Sequence, residues 1–139
     1  MVIDNKRSNI IRAWYLLYYT YGFLPIITGL DKYFDFLADW YIYLNLAIPR
    51  LLNITPEAFM HTIGVIEIIM GLVVFIRPRI GGYIIAAWLL IICINLISMG
   101  SHTHEGYDHI MRHYDVVVRD IVMAVGAYVL VLLSKELNK

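Results

Sequence analysis

Long apolar runs dominate the chain and are separated by shorter polar segments. Four stretches are mostly apolar, residues 10–30, 59–76, 80–99 and 116–134. A helix of about 20 apolar residues is long enough to cross the hydrocarbon core of a bilayer, which is about 30 Å thick. The pattern therefore predicts an all-α protein that folds as a four-helix transmembrane bundle, with the lipid bilayer as its surroundings.

The segment between the first and second stretches is too charged to cross a membrane but is rich in apolar side chains. Asp35, Asp39 and Arg50 stand among aromatic and aliphatic residues, a composition typical of an amphipathic helix lying in the membrane interface. Pro49 and Pro56 would end such a helix before the second stretch. We therefore expect an interfacial amphipathic segment here, with a partly ordered loop as the alternative.

The distribution of Lys and Arg predicts how the bundle is oriented. Only Arg77, Pro78 and Arg79 separate the second and third stretches, so these two must form an antiparallel hairpin. Cytoplasmic segments of membrane proteins carry the excess of basic residues, which predicts that both termini are cytoplasmic, in a bacterial or archaeal inner membrane. Seven basic residues flank that side (Lys6, Arg7, Arg12, Arg77, Arg79, Lys135 and Lys139), and three flank the other (Lys32, Arg50 and Arg112).

Composition supports a single membrane domain covering residues 1–139. Hydrophobic residues make up 60% of the chain and charged residues 16%, whereas about 25% of residues are charged in soluble domains. Acidic and basic residues both number 11, which gives no charge bias toward nucleic acid. The single cysteine, Cys93, excludes a disulfide framework and a Cys-x-x-Cys redox pair. Electron transfer by this protein would need something other than its own thiols.

Glu67 lies near the middle of the second stretch, where a charged side chain costs a few kcal/mol to insert. Gly64 and Gly71 lie on the same helix face, and small residues allow a neighbouring helix to approach closely. Glu67 is therefore predicted to point into the bundle. It is either a protonated or paired structural residue, or a functional acid that binds a polar group or carries protons.

The fourth stretch supplies the predicted partner of Glu67, which is Arg119. Arg119 and Asp120 lie about one turn inside its outer end, and Asp115 precedes Arg119 by four residues, a spacing that permits an ion pair. Arg119 could instead reach Glu67 or a bound anion or quinone oxygen, because its guanidinium suits such acceptors. A structural brace between Glu67 and Arg119 and a ligand site are both open.

Four of the five histidines lie between residues 101 and 120. His109 and His113 are four apart and would share a helix face, a usable spacing for metal ligands, and His102 and His104 would point the same way in an extended segment. Binding of a divalent metal, proton handling and a plain solvated loop are the alternatives. His61 and Asn95 lie near the outer ends of the second and third stretches. These polar groups together predict a pocket that opens in the outer half of the membrane.

Three motifs resemble those of the DoxX-like membrane proteins, over about residues 12 to 133. They are "GLDK" after the first stretch, "GVIEIIMG" in the second and the Arg-Asp pair in the fourth. The resemblance implies a four-helix membrane bundle. It also implies kinship with DoxX and DoxD, associated with a thiosulfate:quinone oxidoreductase, and with subunits of oxidoreductase complexes that handle thiols and oxidative stress. The positions that match are Lys32, Glu67, Arg119 and Asp120.

The leading hypothesis is a membrane subunit of a quinone-linked oxidoreductase that acts on thiosulfate or another small sulfur compound. Glu67, Arg119 and His113 would bind the quinone oxygens and manage protons. A non-catalytic assembly subunit, acting with a partner protein or a second copy, is one alternative. A metal-binding protein that uses the outer histidines is the other. The quinone-binding residues would be Lys32, His61, Asn95, Asp115 and Asp120.

Overall fold

The chain is all-α, as predicted. The computed structural model describes residues 2–100 and 107–137, and the side chains of residues 5–99 and 114–137. Four long helices cover the four apolar stretches. The segment between the first two, residues 32–55, is called the connector and contains a single 3-10 turn and a short helix. The helices are α1 (Val2–Asp31), α2 (Ala47–Leu52), α3 (Pro56–Ile76), α4 (Pro78–Gly100) and α5 (Tyr107–Leu137), and the 3-10 turn is Trp40–Tyr43.

Helix α3 is bounded by local signals at both ends. The Thr55 hydroxyl accepts a hydrogen bond from the Ala58 N–H at 3.2 Å, and Pro56 occupies the first turn, where its missing N–H costs nothing. At the other end Pro78 prevents α3 from continuing past Arg77. Pro78 then begins α4 at once, which produces the tight hairpin.

Three of the described helices are long and apolar enough to cross a membrane. They are Pro56–Ile76, Pro78–Met99 and Tyr114–Leu137. Helix α1 is longer, with 30 residues, but its four tyrosines and five charged residues make it less apolar. The three apolar helices indicate an integral membrane protein.

Helix α1 lies antiparallel to α3 along a line of glycines. A Cβ on Gly29 would come 2.5 Å from the Gly64 carbonyl oxygen, and a Cβ on Gly71 would come 2.5 Å from the Gly22 carbonyl oxygen. Such distances leave no room for a side chain, so the two backbones touch at both crossings. The seven-residue spacing of the glycines is the same on both helices, which keeps the two contacts in register.

Helices α4 and α5 form the second antiparallel pair. A Cβ on Gly82 would lie 2.6 Å from Val131, and nearer the other end the Cys93 thiol donates a weak hydrogen bond to the Val117 carbonyl at 3.6 Å. The Trp14 indole N–H donates to the Ser134 hydroxyl at 2.7 Å, so the beginning of α1 and the end of α5 lie at the same end of the bundle. The connector lies at the opposite end, with the end of α4 and the beginning of α5.

The connector is not the continuous amphipathic helix that its composition suggested. Asp35 has a positive φ of 50° and Asn53 one of 54°, and both conformations interrupt a right-handed helix. The Asp31 carboxylate also accepts hydrogen bonds from the Phe36 and Leu37 N–H groups, which folds the chain back at the end of α1. Hydrogen bonds from the backbone to the Asp31 side chain therefore prevent the continuous helix that the amphipathic pattern suggested.

Replacing Gly64 by alanine should weaken the contact between α1 and α3. The added Cβ would lie 2.6 Å from the Gly29 carbonyl oxygen, and overpacking of this kind costs about 1–3 kcal/mol. The free energy of unfolding of the detergent-solubilised protein, measured by titration with a denaturing detergent, should fall accordingly. The matched control is Val65→Ala, whose side chain is 45% exposed on the same helix. Equal unfolding free energies for Gly64→Ala and the original protein would refute the close approach.

Candidate functional site

A buried ion pair joins α1 to α3. The Lys32 Nζ and the Glu67 Oε2 are 2.7 Å apart, and the two side chains are only 5% and 9% exposed. The Thr28 hydroxyl donates to the same Glu67 oxygen at 3.2 Å. Thr28 and Lys32 are one helical turn apart, so they approach Glu67 from the same face of α1. The glycine contacts hold that face against α3.

Asp31 and Lys32 both contact Trp40, a residue of the connector. The Trp40 indole N–H donates to the Asp31 Oδ2 at 2.7 Å, and the Lys32 Nζ lies 3.7 Å from the centroid of the Trp40 ring. A cation over an indole face is attracted by the ring quadrupole. Trp40 is thereby fixed over the Lys32–Glu67 pair and covers it from the connector side.

Hydrogen bonds hold the Asp31 carboxylate in its charged form. Burial raises the pKa of Asp31, but hydrogen bonds from the Trp40 side chain and from the backbone N–H groups of Leu37, Phe36 and Ala38 outweigh it. The pKa of Asp31 therefore lies below its ordinary value. The charged form is the one that anchors the connector to the end of α1.

A cavity of about 310 Å³ lies between the four long helices and beneath the connector. Most of its wall is apolar, with Met60, Met70 and Leu89 among the buried side chains. A mainly apolar cavity with a few convergent polar groups is typical of a small-molecule site. Its polar and charged lining residues include Lys32, Glu67, Trp88, Asn95, Arg119 and Asp120.

The wall formed by α5 carries a second charge pair. The Arg119 Nε donates to the Asp120 Oδ1 at 3.2 Å, with the Arg119 side chain 64% exposed and the Asp120 side chain 5% exposed. The predicted brace between Glu67 and Arg119 is therefore wrong in its partner, because Glu67 pairs with Lys32. The ion-pair partner of Arg119 is Asp120, and not Asp115 as the four-residue spacing had suggested. Among the residues that the structure describes, two acids and two bases line the cavity, and their formal charges balance.

Trp88 contributes an unsatisfied donor. Its indole nitrogen is buried and has no hydrogen-bond partner among the residues that the structure describes. Trp88 lines the cavity from α4. Leaving a buried N–H unpaired costs about 1–3 kcal/mol, and an acceptor that reached this nitrogen would recover that cost.

The cavity brings together five of the predicted residues and leaves others outside. Lys32, Glu67, Asn95, Arg119 and Asp120 all line it, whereas Asp115 is exposed and does not. Lys32 and Asp120 were expected only as contacts of a bound quinone, and the structure assigns each of them an ion-pair partner as well.

The predicted histidines are not part of the cavity wall that the structure describes. The His61 ring stacks on Tyr33 at 4.4 Å, and neither residue lines the cavity. His109 and His113 lie in the first turns of α5, but their side chains, together with residues 102 and 104, fall outside the described part of the chain. In that part no group of three or more His, Cys, Asp or Glu side chains could hold a metal ion.

Sequence reasoning missed Thr28, Trp40 and Trp88. Trp88 and Asn95 are seven residues apart on α4, so their common face could have been found from helical periodicity. Thr28 and Lys32 are four apart and could have been found in the same way. No pattern in the sequence signals Trp40, because its position depends on the turn that Asp31 closes.

Comparison of the chain with protein families, with curated proteins and with solved structures gave no match. The geometry of the cavity therefore carries the functional argument.

Breaking the Lys32–Glu67 pair from one side should be more damaging than removing both charges. Lys32→Met leaves the Glu67 carboxylate buried without its cation, which typically costs about 3–5 kcal/mol. The double variant Lys32→Met/Glu67→Met should recover much of that loss, as measured by the free energy of unfolding in detergent. Arg50→Met is the control, since loss of this exposed cation should change the free energy of unfolding by about 0.5 kcal/mol or less. Additive losses in the double variant would show that the two side chains do not interact.

The anchoring of the connector by Asp31 should depend on pH. Because its pKa is lowered on folding, the stabilisation is complete above the unfolded-state pKa of about 4 and disappears as the pH falls through the folded-state pKa. Asp31→Asn should therefore lower the melting temperature at neutral pH, and the difference from the original protein should shrink as the pH falls below the unfolded-state pKa. A difference that is independent of pH would contradict this role.

Proposed function

We propose that the chain is a membrane subunit of a quinone-linked oxidoreductase and that a quinone ring occupies the cavity between the four long helices. The volume of about 310 Å³ falls within the usual range for small-molecule pockets, about 300–1,000 Å³. The apolar wall suits an aromatic ring, and the polar groups at separate points suit the two carbonyl oxygens of a quinone. The resemblance to the DoxX-like proteins favours the same function.

The observation that carries the proposal is that Trp88, a residue of the cavity wall, has an indole N–H without a partner among the described residues. A quinone carbonyl is an acceptor without a donor of its own, which matches a site that holds a spare donor. Arg119 lies on another wall, and among the described residues only its Nε donates a hydrogen bond, so its terminal N–H groups offer further donors. Trp88 and Arg119 would orient the ring by its oxygens.

The acids on the wall suit the proton requirements of the reaction. Reduction of a quinone to a quinol takes two electrons and two protons. Glu67 and Asp120 each place a carboxyl group on the cavity wall from a different helix. Each carboxylate would first take up a proton from water and then pass it to a quinone oxygen, and Lys32 would stabilise the charge of Glu67 again once the proton has left. Carboxyl groups held within reach of a reacting oxygen can transfer protons to it.

The electrons would come from thiosulfate or another small sulfur compound. Two thiosulfate ions that join through a sulfur–sulfur bond release two electrons, which balances the quinone. Cys93, the single cysteine, is buried, so the sulfur–sulfur bond would form between donor molecules, with the help of a partner subunit. The donor would approach from the connector end, which the charge distribution assigns to the outer face of the membrane.

The proposed membrane arrangement uses α1 as a fourth span, with both termini in the cytoplasm. The second half of α1 packs against α3, from Tyr18 to Gly29, and Trp14 lies beside Ser134 near the end of α5. The distribution of basic residues favours the cytoplasm for that end. The connector would then lie at the outer interface of an inner membrane.

A non-catalytic assembly subunit is the second candidate function. The observation that favours it is the combination of a glycine seam with a buried ion pair between α1 and α3, because buried charges can fix the register of helices. In that case Glu67→Gln would prevent assembly with a partner, and the cavity would bind no quinone.

Trp88→Phe should weaken quinone binding about 5- to 10-fold, the loss expected for one hydrogen bond of about 1 kcal/mol. Binding of a short-chain ubiquinone to the purified protein is measured by equilibrium dialysis. Trp14→Phe is the matched control, because the Trp14 N–H bonds to Ser134 at the opposite end of the bundle. Absence of quinone binding to the original protein, or equal losses in both variants, would refute the proposed site.

A further inference from the structure

The cavity is covered on its connector side. Trp40, Tyr43 and Leu44 of the connector all line it, and Leu44 is only 6% exposed. Trp40 is held there by its hydrogen bond to Asp31 and by the Lys32 ammonium over its ring. The side that faces the end of the bundle is therefore closed by packed and hydrogen-bonded side chains.

The same cavity reaches the lateral surface of the bundle. Ile91 lines the cavity and is also 56% exposed, and it lies inside the apolar span Pro78–Met99. Ile48 of α2 lines the cavity with 37% exposure, and the Arg119 side chain lines it with 64% exposure. Residues that both line a cavity and face outward border its mouth. Helices α2, α4 and α5 therefore surround an opening on the side of the bundle.

The chemistry of the cavity changes from its inner end to this mouth. The buried Lys32–Glu67 pair lies on the wall formed by α1 and α3, whereas the mouth is bordered by two isoleucines and one guanidinium. A ligand that fits this gradient has a polar head and an apolar tail. The head would lie near Glu67 and the tail would leave between Ile48 and Ile91.

We propose that the cavity takes an amphiphilic ligand sideways from the bilayer, with its tail passing out between Ile48 and Ile91. The inference rests on the proposed function and narrows its substrate class to quinones that carry a long isoprenoid tail. Such a quinone is dissolved in the membrane, and an opening inside an apolar span admits it without passage through water. The occupant of the mouth is thus the tail itself, which continues into the lipid.

The test compares two quinones and two substitutions on α4. Ile91→Trp narrows the mouth, and Ile94→Trp adds the same bulk at a neighbouring position that is 68% exposed and does not line the cavity. Each variant is incubated in detergent with a ubiquinone that lacks the tail or with one that has a long isoprenoid tail. The quinone retained on the purified protein is extracted and measured by its absorbance.

Ile91→Trp should weaken binding of the long-tailed quinone about 10-fold, because the free-energy cost of overpacking is similar to that of a tenfold loss of affinity. It should leave binding of the tail-less quinone within about 2-fold of the original protein, and Ile94→Trp should change neither. Should Ile91→Trp fail to fold, Ile91→Phe provides a smaller obstruction at the same position.

The outcomes separate this inference from the proposed function. If the original protein binds both quinones and Ile91→Trp affects them equally, or not at all, the lateral mouth is wrong while the quinone site stands. An equal effect of Ile94→Trp would also overturn the lateral mouth. If the original protein binds neither quinone, both the inference and the proposed function fail.

Discussion

The buried ion pair between Lys32 and Glu67 is the constraint on which the site depends. A carboxylate inside an apolar helix has to pair with a cation or lose its charge. Here the cation is Lys32, the residue directly after α1. The pair can form because glycines on both helices allow the backbones to touch at two crossings. Packing and electrostatics therefore act together: the glycines set the distance between α1 and α3, and the charges set their register.

The same pair links the architecture to the chemistry of the cavity. Lys32 stabilises Glu67 and holds the Trp40 ring, and Asp31 holds the other edge of that ring. Two adjacent residues at the end of α1 thus cover the cavity on the connector side and supply part of its polar wall. The lateral side between α2, α4 and α5 remains open, beside Ile48 and Ile91. A ligand with a polar head and an apolar tail fits this combination of a closed polar end and a mouth bordered by two isoleucines and Arg119.

Much of the fold followed from the chain's periodicity, while the pairing of side chains did not. The four apolar stretches predicted the four long helices, and Gly64 and Gly71 predicted that Glu67 faces inward. The predicted partner of Glu67 was wrong. Arg119 was chosen because it is a conspicuous charge inside an apolar stretch, but its side chain is largely exposed and contacts Asp120. The equal glycine spacings of α1 and α3 would have indicated the correct neighbour. The connector was mistaken for one helix because hydrogen bonds to Asp31 outweigh its amphipathic pattern.

The infrared spectrum of the Glu67 carboxyl group tests the buried ion pair and its place in the site most directly. It is recorded on protein labelled with ¹³C at glutamate, with and without a long-tailed ubiquinone. Subtraction of the spectrum of Glu67→Gln isolates the signal of this residue. We expect the bands of an ionised carboxylate, shifted when the quinone binds beside the Lys32–Glu67 pair. A protonated carboxyl band that does not respond to the quinone would contradict both the ion pair and its place in the site.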